Sequence, residues 1–418
     1  MSGSDAGVVI VGAGLGGIRV AESLRANNYD GQITLIGAES HPPYDRPPLS
    51  KSVLLGKDDR VDLKPAEFFD ESSIGLRVGE RVSAISPDDH TVTVEKLDDP
   101  ASSETVGYDT LILATGLSPR TLPGADGVSG IHVLRSIDDA LALRGEIDDA
   151  STAVIVGAGF IGCEVAASLN QRGVTVTLVE PAPTPLAAAL GTEVGALVTR
   201  LHQANGVDVR TGVGVEEILT DVSQEPASPA DTGTQATKVR GVRLADGSEV
   251  TADIVVVGIG SIPVVDYLDG SGIELAPRES GGGIACDENG ATSAPDIYAL
   301  GDVANWRLES GKTRRVEHWT HTVEQATVVA HRIAKTDAMI PATPAYFWSD
   351  QYNLKIQVLG RPESTDQLHL VDDDGTKFLG YYSRDGILTG VVGAGKVGAV
   401  MRTRPKLLTP TPIADVLG

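Results

Sequence analysis

The sequence predicts an α/β protein with two Rossmann-like dinucleotide-binding domains and a C-terminal α+β domain. Two glycine-rich turns carry the first part of this prediction, GAGLGG at 12–17 and GAGFIG at 157–162. Each follows a β-branched run, VVIV at 8–11 and AVIV at 153–156. The third observation is the alternating pattern near the C-terminus, in KIQVLG at 355–360 and QLHLV at 367–371, which is typical of antiparallel strands.

A strand that runs through G-x-G-x-x-G into a helix presents free backbone N–H groups at the helix N-terminus, where a pyrophosphate binds. One such turn is weak evidence, whereas two in the same βα context indicate two bound dinucleotides. The predicted contacts are Gly12, Gly14, Leu15, Gly16 and Gly17 in the first turn, and Gly157, Gly159, Phe160, Ile161 and Gly162 in the second. Electron transfer from one dinucleotide to the other is the simplest reason for the pair.

The order of elements is repeated along the chain. A strand, a helix over about 16–27, a strand at 33–37 and a strand within 108–116 make the first unit. The second unit has a helix at about 160–172 and strands at 174–180, 206–212 and 253–260, with an exposed loop expected at 221–238. The second unit is therefore expected to be inserted into the first. We predict the first dinucleotide-binding domain at 1–117 and 252–325, the second at 118–251 and a C-terminal domain at 326–418.

Composition limits the possible functions. The chain has 418 residues and a net charge of −23, which argues against nucleic acid as a partner. No stretch approaches the ~20 apolar residues of a membrane span, and the short polar N-terminus leaves no room for a signal peptide.

The two cysteines, Cys163 and Cys286, form no CxxC pair, so a reduced, cytoplasmic setting is expected. No metal site is predicted, and a monomer or weak homodimer is expected.

Two basic clusters stand out from this acidic background. The first comprises Lys312, Arg314 and Arg315, and the second Arg402, Arg404 and Lys406. Such clusters are usually solvated, but in an acidic protein they can also receive an acidic partner. The sequence leaves both interpretations open.

Two glutamates are candidates for binding a ribose. Glu180 closes the strand after the second glycine turn, where a carboxylate accepts hydrogen bonds from a ribose with a free 2′-hydroxyl and repels a 2′-phosphate. The following PAPTP contains no Lys or Arg to hold such a phosphate, so NADH is favoured over NADPH. Glu39 stands two residues after the end of the corresponding strand of the first unit. A ribose contact and a surface role are equally consistent with this position.

The combination of GAGLGG, PPYDRPPLSK, LILATG, GAGFIGCE, YALGDVA and FWSDQ resembles the flavin-dependent ferredoxin reductases of bacterial oxygenase systems. The resemblance extends over essentially the whole chain, and RPPLSK and ALGDVA are its most discriminating elements. It implies a glutathione-reductase-like fold in which the first unit is the FAD-binding domain, the second is the NAD-binding domain that takes NADH, and the C-terminal domain covers the flavin.

The resemblance also implies roles for single residues. Lys51 corresponds to the lysine beside flavin N5, and Glu164 to its carboxylate partner, although a pair of surface charges is the alternative. Asp302 corresponds to the acid that binds the ribityl hydroxyls, or else to a helix cap. The other implied cofactor contacts, several of which core packing would also explain, are Arg46, Pro47, Val82, Ala114, Thr115, Gly116, Gly260, Gly301, Trp319 and Trp348.

The cysteines distinguish between electron acceptors. Disulfide reductases of similar architecture carry redox-active cysteines near the flavin, whereas the early loop here, HPPYDRPPLSK, has none, and Cys163 is expected to be a packed residue. We therefore expect hydride transfer from NADH to FAD, followed by one-electron transfers to a two-iron two-sulfur ferredoxin that serves a haem or Rieske oxygenase. The alternatives are a rubredoxin reductase, an NADH oxidase or diaphorase, and an NADH-sensing interaction protein that resembles apoptosis-inducing factor.

Overall fold

The computed structural model describes residues 6–99, 101–222, 237–308, 311, 313–336 and 343–417. Most of the loop predicted at 221–238, and Lys312 of the first basic cluster, lie outside these residues. The chain divides into two compact units. The first comprises Met1–Asp45, Val61–Ser118 and Ser261–Ala342, and the second comprises Arg46–Arg60, Pro119–Gly260 and Thr343–Gly418.

The strands of the first 150 residues, in chain order, are β1 Val8–Val11, β2 Ile33–Gly37, β3 Ile74–Val78, β4 Glu80–Ser86, β5 Thr91–Lys96, β6 Ser103–Gly107, β7 Thr110–Leu113, β8 Leu117–Pro119, β9 Val128–Ser129 and β10 Ile131–His132. Those that follow, up to residue 315, are β11 Thr152–Val156, β12 Thr175–Glu180, β13 Asp208–Thr211, β14 Val215–Val222, β15 Thr237–Leu244, β16 Glu249–Thr251, β17 Ile254–Val257, β18 Ser261–Pro263, β19 Ile284–Cys286, β20 Ile297–Ala299, β21 Ala304–Arg307 and β22 Thr313–Arg315. The last five are β23 Tyr346–Gln351, β24 Leu354–Gly360, β25 Gln367–Asp373, β26 Phe378–Arg384 and β27 Ile387–Ala394.

The α-helices are α1 Leu15–Ala26, α2 Glu67–Glu71, α3 Ile137–Ile147, α4 Phe160–Gln171, α5 Ala187–Ala204, α6 Trp319–Ala334, α7 Val397–Arg402 and α8 Ala414–Leu417. Leu49–Val53 forms one π-helical turn. Among the described residues, no helix is both long and apolar enough to cross a membrane.

The first unit is built around a parallel sheet with the strand order β20-β7-β1-β2-β3. Its strands are short runs of β-branched and aliphatic residues, and β1 and β2 are buried along their whole length. A parallel sheet needs this continuous hydrophobicity because helices or other elements cover both of its faces. Helix α1 buries Ile18, Ala21 and Leu24 and packs against α6.

The second unit repeats this plan with the parallel order β10-β17-β11-β12-β13. The predicted mirror relation holds, because β17 pairs with β11 as β7 pairs with β1. The domain boundary predicted at 252 is wrong at this point. Ile254–Val257 is completely buried between β10 and β11 of the second sheet, since its four apolar residues match the register of Ala153–Val156.

The C-terminal segment forms an antiparallel sheet with the order β23-β24-β27-β26-β25, in agreement with the alternating pattern. The boundary predicted at 326 is also wrong, because α6 continues to Ala334 within the first unit. Its buried stripe runs through that boundary, from Thr322 and Gln325 to Ala326 and Ala330, so the helix is a single packing element.

Smaller sheets complete the two units. The first unit contains β4-β5-β6 and β19-β21-β22, and the second contains β14-β15-β16 with β9 at its edge. These sheets lie outside the two parallel sheets that carry the glycine turns.

Candidate functional site

The carboxyl ends of parallel strands meet at one edge of a sheet, and ligands of open α/β sheets bind there. In the first unit, β1, β2, β7 and β20 end at this edge. The glycine turn at 12–17, Glu39, the Ala114–Gly116 segment and the turn at 300–302 follow these four strands directly. The structure therefore brings together predicted site residues that lie almost 300 positions apart.

Three glycines of the first turn, at positions 12, 14 and 17, differ in what surrounds them. Gly12 has φ 113°, and a Cβ there would lie 2.2 Å from the carbonyl oxygen of Ala114. A Cβ on Gly17 would lie 2.1 Å from the oxygen of Gly12, so only glycine lets α1 pack against the turn. Gly14, by contrast, has no heavy atom within 4 Å of such a Cβ. The first and last glycines shape the turn, and the middle one faces open space at the start of the helix.

The second turn has the same geometry. Gly157 has φ 98°, and its Cβ would lie 2.4 Å from the oxygen of Gly258. A Cβ on Gly162 would lie 2.0 Å from the oxygen of Gly157, whereas Gly159 again faces open space. Beside this space, Ile161 is 47% exposed. An exposed isoleucine and a bare glycine at a helix N-terminus form a surface onto which a nucleotide fits.

The starts of α1 and α4 also fit a bound pyrophosphate electrostatically. Neither N-terminal glycine provides a side-chain cap, and neither helix has an acidic residue in its first turn. The first backbone N–H groups are therefore left to an external acceptor, at the positive end of the helix dipole. Both turns thus fit a dinucleotide phosphate on observations independent of the motif.

Glu180 lies at the carboxyl end of β12, beside the second turn. One carboxylate oxygen accepts a hydrogen bond of 2.6 Å from the Ala158 N–H, and the other accepts one of 2.9 Å from the Ala182 N–H. These two bonds fix the carboxylate at the edge of the turn. The anchoring by Ala158 was not predicted from the sequence, because it depends on the fold of the turn.

An open cavity of about 520 Å³ lies near the same edge of the second sheet. It follows β13, whose Thr211 is in register with Glu180. The Gly212 N–H donates to the carbonyl oxygen of Ala182, which links this cavity to the loop after β12. The residues that line it are Arg210, Thr211, Gly212, Val213, Gly214, Ala245 and Asp246.

Glu39 is half-buried beyond the end of β2, and the hydroxyl of Tyr44 donates to its carboxylate. Its position at the carboxyl edge is compatible with a ribose contact. The hydrogen bond from Tyr44 gives the side chain a fixed orientation, which an ordinary surface glutamate lacks.

Lys51 and Glu164 form an ion pair with 2.7 Å between Nζ and Oε2. Lys51 lies in the π-helical turn, a conformation often found at functional sites, and Glu164 lies in the second turn of α4. The Glu164 side chain is 3% exposed and that of Lys51 is 18% exposed. The alternative of two surface charges does not describe this pair, since the carboxylate is buried.

Two serines complete the surroundings of Glu164. Ser50 Oγ donates to Oε2 at 2.5 Å, and Ser349 Oγ donates to Oε1 at 2.7 Å. Both hydroxyl groups are buried. The motifs RPPLSK and FWSDQ contain these serines, but the sequence predicts no role for either one, because nothing local to the motifs indicates a common partner.

The turn with Asp302 differs from the prediction. Gly301–Val303 is a short 3-10 turn followed by β21, so Asp302 does not open a longer helix and the helix-cap alternative is wrong. The reason is that β21 pairs with β19 and β22 and continues the chain as a strand. The Gly301 N–H donates to Gln325 of α6, and Arg315 donates to the carbonyl oxygen of Asp302 at 3.0 Å.

Thr115 already has partners within the first unit. Its hydroxyl donates to the Val264 carbonyl at 2.9 Å and lies 3.2 Å from the Tyr267 hydroxyl. Its side chain therefore stabilises the turn after β7. The backbone of Ala114 and Gly116 lies at the sheet edge described above.

The remaining predicted contacts lie in several different places. Trp319 donates from Nε1 to Asp45 at 3.1 Å, and the Arg19 guanidinium lies 5.6 Å from the centre of its ring. Trp348 stacks on Tyr346 in β23. Val82 is buried in the core of the first unit, whereas Gly260 is exposed after β17.

Arg46 and Pro47 belong to the second unit, as Lys51 does. The Arg46 guanidinium donates to the carbonyl oxygen of Arg135, and the Pro47 carbonyl accepts a hydrogen bond of 3.0 Å from Lys51 Nζ. The proline-rich loop thus contributes a backbone oxygen to the surroundings of the lysine.

Both cysteines are free and buried. Burial and the nearby carboxylates of Glu164 and Glu180 raise the pKa of the Cys163 thiol, and burial beside Asp287 raises the pKa of Cys286 to about 12. A thiol becomes a nucleophile or redox centre as the thiolate, so both cysteines are unreactive packing residues.

Comparisons with known proteins find relatives that match this chain over most of its length. The model of the pyridine nucleotide-disulphide oxidoreductase family matches residues 6–326, and the reductase C-terminal model matches residues 346–413. The chain is 37% identical over 384 residues to the ferredoxin reductase subunit of 5,5′-dehydrodivanillate O-demethylase from Sphingobium sp., which covers 90% of this chain and 87% of the relative. It is 35% identical to rhodocoxin reductase of Rhodococcus erythropolis, over 97% of this chain and 90% of that protein.

Solved structures give the same result. The reductase in the covalent putidaredoxin reductase–putidaredoxin complex matches with a TM-score of 0.88 and 29% identity, covering 100% of this chain and 96% of that one. The ferredoxin reductase of the CYP199A2 system from Rhodopseudomonas palustris matches with a TM-score of 0.87 and 32% identity, covering 99% and 98%.

Proposed function

Because this chain belongs to the pyridine nucleotide-disulphide oxidoreductases, and among them to the ferredoxin–NAD(P)+ reductases of oxygenase systems, we propose that it oxidises NADH through FAD and reduces a two-iron two-sulfur ferredoxin. The observation that carries the proposal is the pair of glycine turns, each with a middle glycine that faces open space at a helix start. The ferredoxin would serve a haem or Rieske oxygenase.

The first turn, with Glu39, Ala114–Gly116 and Asp302 at the same sheet edge, would hold FAD. The second turn, with Glu180 and the cavity after β13, would hold NADH. When bound, FAD takes up two electrons as a hydride from NADH and releases them one at a time, as a ferredoxin requires.

The preference for NADH over NADPH rests on Glu180. Its carboxylate is anchored by two backbone N–H groups at the edge of the turn, so it cannot swing away from a ribose bound there. A free 2′-hydroxyl would donate to it, whereas a 2′-phosphate would be repelled.

Lys51 and Glu164 would orient the reacting rings. Lys51 Nζ has three N–H bonds, and among the described residues Glu164 and the Pro47 carbonyl accept two of them. The third is available to a bound ring. Glu164 balances the charge of the ammonium group, which would be costly to bury alone.

The absence of a thiol relay supports a ferredoxin as the acceptor. The only two cysteines of the chain are buried and have raised pKa values, so reduced flavin has no thiol to reduce. Relatives named as ferredoxin reductases, and a solved complex of putidaredoxin reductase with putidaredoxin, provide the partner class.

The test is steady-state oxidation of NADH by the FAD-loaded protein, with and without a purified two-iron two-sulfur ferredoxin, and with a rubredoxin as the parallel acceptor. We expect the two-iron protein to increase the rate strongly over oxygen alone and over the rubredoxin. Equal rates with oxygen alone would indicate an NADH oxidase. Negligible turnover with a long-lived reduced complex would indicate an NADH sensor, and either result would overturn the proposal.

A further inference from the structure

A chain of buried hydrogen bonds leads away from Glu164 through the second unit. It begins with Ser349, whose hydroxyl donates to Glu164 Oε1 at 2.7 Å. Gln351 Nε2 then donates to Ser349 Oγ at 3.2 Å. Ser349 is 1% exposed and Gln351 is 0% exposed, so no water is needed to complete these bonds.

The chain continues into α5. His202, which is 0% exposed, lies with Nε2 3.1 Å from Oε1 of Gln351 and with Nδ1 2.9 Å from the hydroxyl of Tyr352. Its ring also packs edge-to-face on Tyr352, with 5.4 Å between the ring centres. Four polar side chains from β23, the following turn and α5 thus form one connected path to the carboxylate.

The protons of this path all point the same way. Gln351 Oε1 can only accept, so His202 Nε2 carries the proton and its Nδ1 accepts from the Tyr352 hydroxyl. Burial lowers the pKa of His202 to about 4, so the ring carries a single proton at neutral pH. Gln351 donates to Ser349, and Ser349 donates to Glu164. Every donor is directed toward the negative charge, an arrangement in which each bond polarises and strengthens the next.

We propose that Ser349, Gln351, His202 and Tyr352 form a positioning network that fixes the orientation of Glu164 and, through it, of the Lys51 ammonium group. The network anchors Oε1, while Oε2 is left to Lys51 and Ser50. The inference rests on the proposed function, because it assumes that the Lys51–Glu164 pair acts in hydride transfer from NADH to FAD.

The first test compares Ser349→Ala with Ser349→Thr in the FAD-loaded protein by anaerobic stopped flow. Loss of one hydrogen bond to a charged group should lower the limiting rate of flavin reduction at saturating NADH by about tenfold. FAD content and the apparent Kd for NADH should stay unchanged. Ser349→Thr keeps the hydroxyl and should restore most of the rate.

Gln351→Met interrupts the path one step further from Glu164, with a side chain of similar size. We expect a smaller reduction in the limiting rate, roughly threefold. Tyr382→Phe is the matched control, because it removes a buried hydroxyl of the same unit that donates to the Leu190 carbonyl and not to the network. It should lower thermal stability and leave flavin reduction unchanged.

A second measurement does not depend on turnover. With ¹⁵N-labelled histidine, NMR at pH 7 should show His202 with Nε2 protonated and Nδ1 bare, and the Gln351→Met variant should lose this fixed tautomer. A His202 that carries its proton on Nδ1 would reverse the direction of the path and overturn the proposal.

Lys51→Met separates failure of this inference from failure of the proposed function. If Lys51→Met slows flavin reduction while Ser349→Ala and Gln351→Met do not, the positioning network is refuted and the function of the pair stands. If Lys51→Met also leaves the rate unchanged, the pair has no part in the reaction, so the network and the proposed role of the pair both fail, whereas NADH-dependent ferredoxin reduction stands or falls by the steady-state assay.

Discussion

At the scale of single residues, the site depends on charged side chains that hydrogen bonds hold in one orientation. Glu180 is fixed by two backbone N–H groups, and Glu164 by two serines and a lysine. A carboxylate that is anchored in this way keeps its charge at a defined place, which is what discrimination between nucleotides and orientation of a reacting ring require.

For Glu180, replacement by alanine should narrow the preference for NADH over NADPH by roughly tenfold, because the repulsion of a 2′-phosphate is removed. The ratio of kcat/KM for the two nucleotides measures this. Glu180→Gln is the control for the shape of the turn, since its amide oxygen still accepts one backbone N–H while the charge is gone. An unchanged ratio in both variants would refute the ribose contact.

For His202, burial predicts a pH-dependent stability. The folded protein binds a proton at the ring with a pKa of about 4, below the ordinary value of 6.5. The neutral His202 ring therefore makes its full contribution to the free energy of unfolding above pH 6.5. As the pH falls from 6.5 toward 4, that free energy decreases by about 3 kcal/mol. The groups that contact the ring are Gln351 and Tyr352, neither of which titrates in this range.

Denaturant unfolding between pH 7 and pH 4.5 tests this prediction. His202→Gln retains a donor and an acceptor but does not titrate, so it should show a shallower loss of stability over the same range. A pH dependence identical to that of the wild type would show that His202 is not the group responsible.

At the scale of elements, the strand–turn–helix unit at each sheet edge explains why three glycines are needed. Gly157 and Gly162 permit the turn and the packing of α4, whereas Gly159 leaves space for a ligand. The glycines that the packing requires and the glycine that leaves room for the proposed ligand are thus different residues within a six-residue turn.

Gly159→Ala should therefore leave the free energy of unfolding unchanged within roughly 0.5 kcal/mol, since the new Cβ contacts nothing. It should raise the apparent Kd for NADH by about tenfold or more, because the methyl group occupies the space of the pyrophosphate. Gly162→Ala is the contrast, with a Cβ 2.0 Å from a backbone oxygen, and should destabilise the fold. Normal NADH affinity in Gly159→Ala would contradict the model of the turn.

At the scale of the whole molecule, 57 acidic residues outweigh 34 basic ones and give a net charge of −23, against which the two basic clusters stand out. Arg314 and Arg404 are exposed, whereas Arg315 is half-buried and pairs with Glu317. An acidic ferredoxin approaching this protein would be repelled by its net charge and attracted locally at exposed arginines such as these.

If attraction at the basic clusters outweighs the general repulsion, the rate of ferredoxin reduction should fall with increasing ionic strength, because salt screens that attraction. Arg314→Ala and Arg404→Ala, measured separately, should show which basic cluster attracts the ferredoxin. The variant with the weaker salt dependence of the rate identifies that cluster. A rate that is constant or rises with salt would show that neither cluster guides the encounter.

The sequence by itself determined the two strand–glycine turn–helix units, because strand, glycines and helix are contiguous and their geometry is local. It also determined that no CxxC cysteine pair is available, and a resemblance predicted the pairing of Lys51 with Glu164, which the structure shows as an ion pair. Two domain boundaries were wrong, at 252 and 326, because the partners of β17 and the length of α6 depend on packing rather than on local pattern.

Only the tertiary structure decided what surrounds Glu164. Ser50 and Ser349 lie 114 and 185 positions away in the chain, and His202 and Gln351 are separated by 149. Their hydrogen bonds exist because a buried polar group must find a partner wherever the fold provides one. No periodicity or motif encodes that partner, so a serine or a histidine that looks unremarkable in sequence becomes part of the site only when the strands and helices pack.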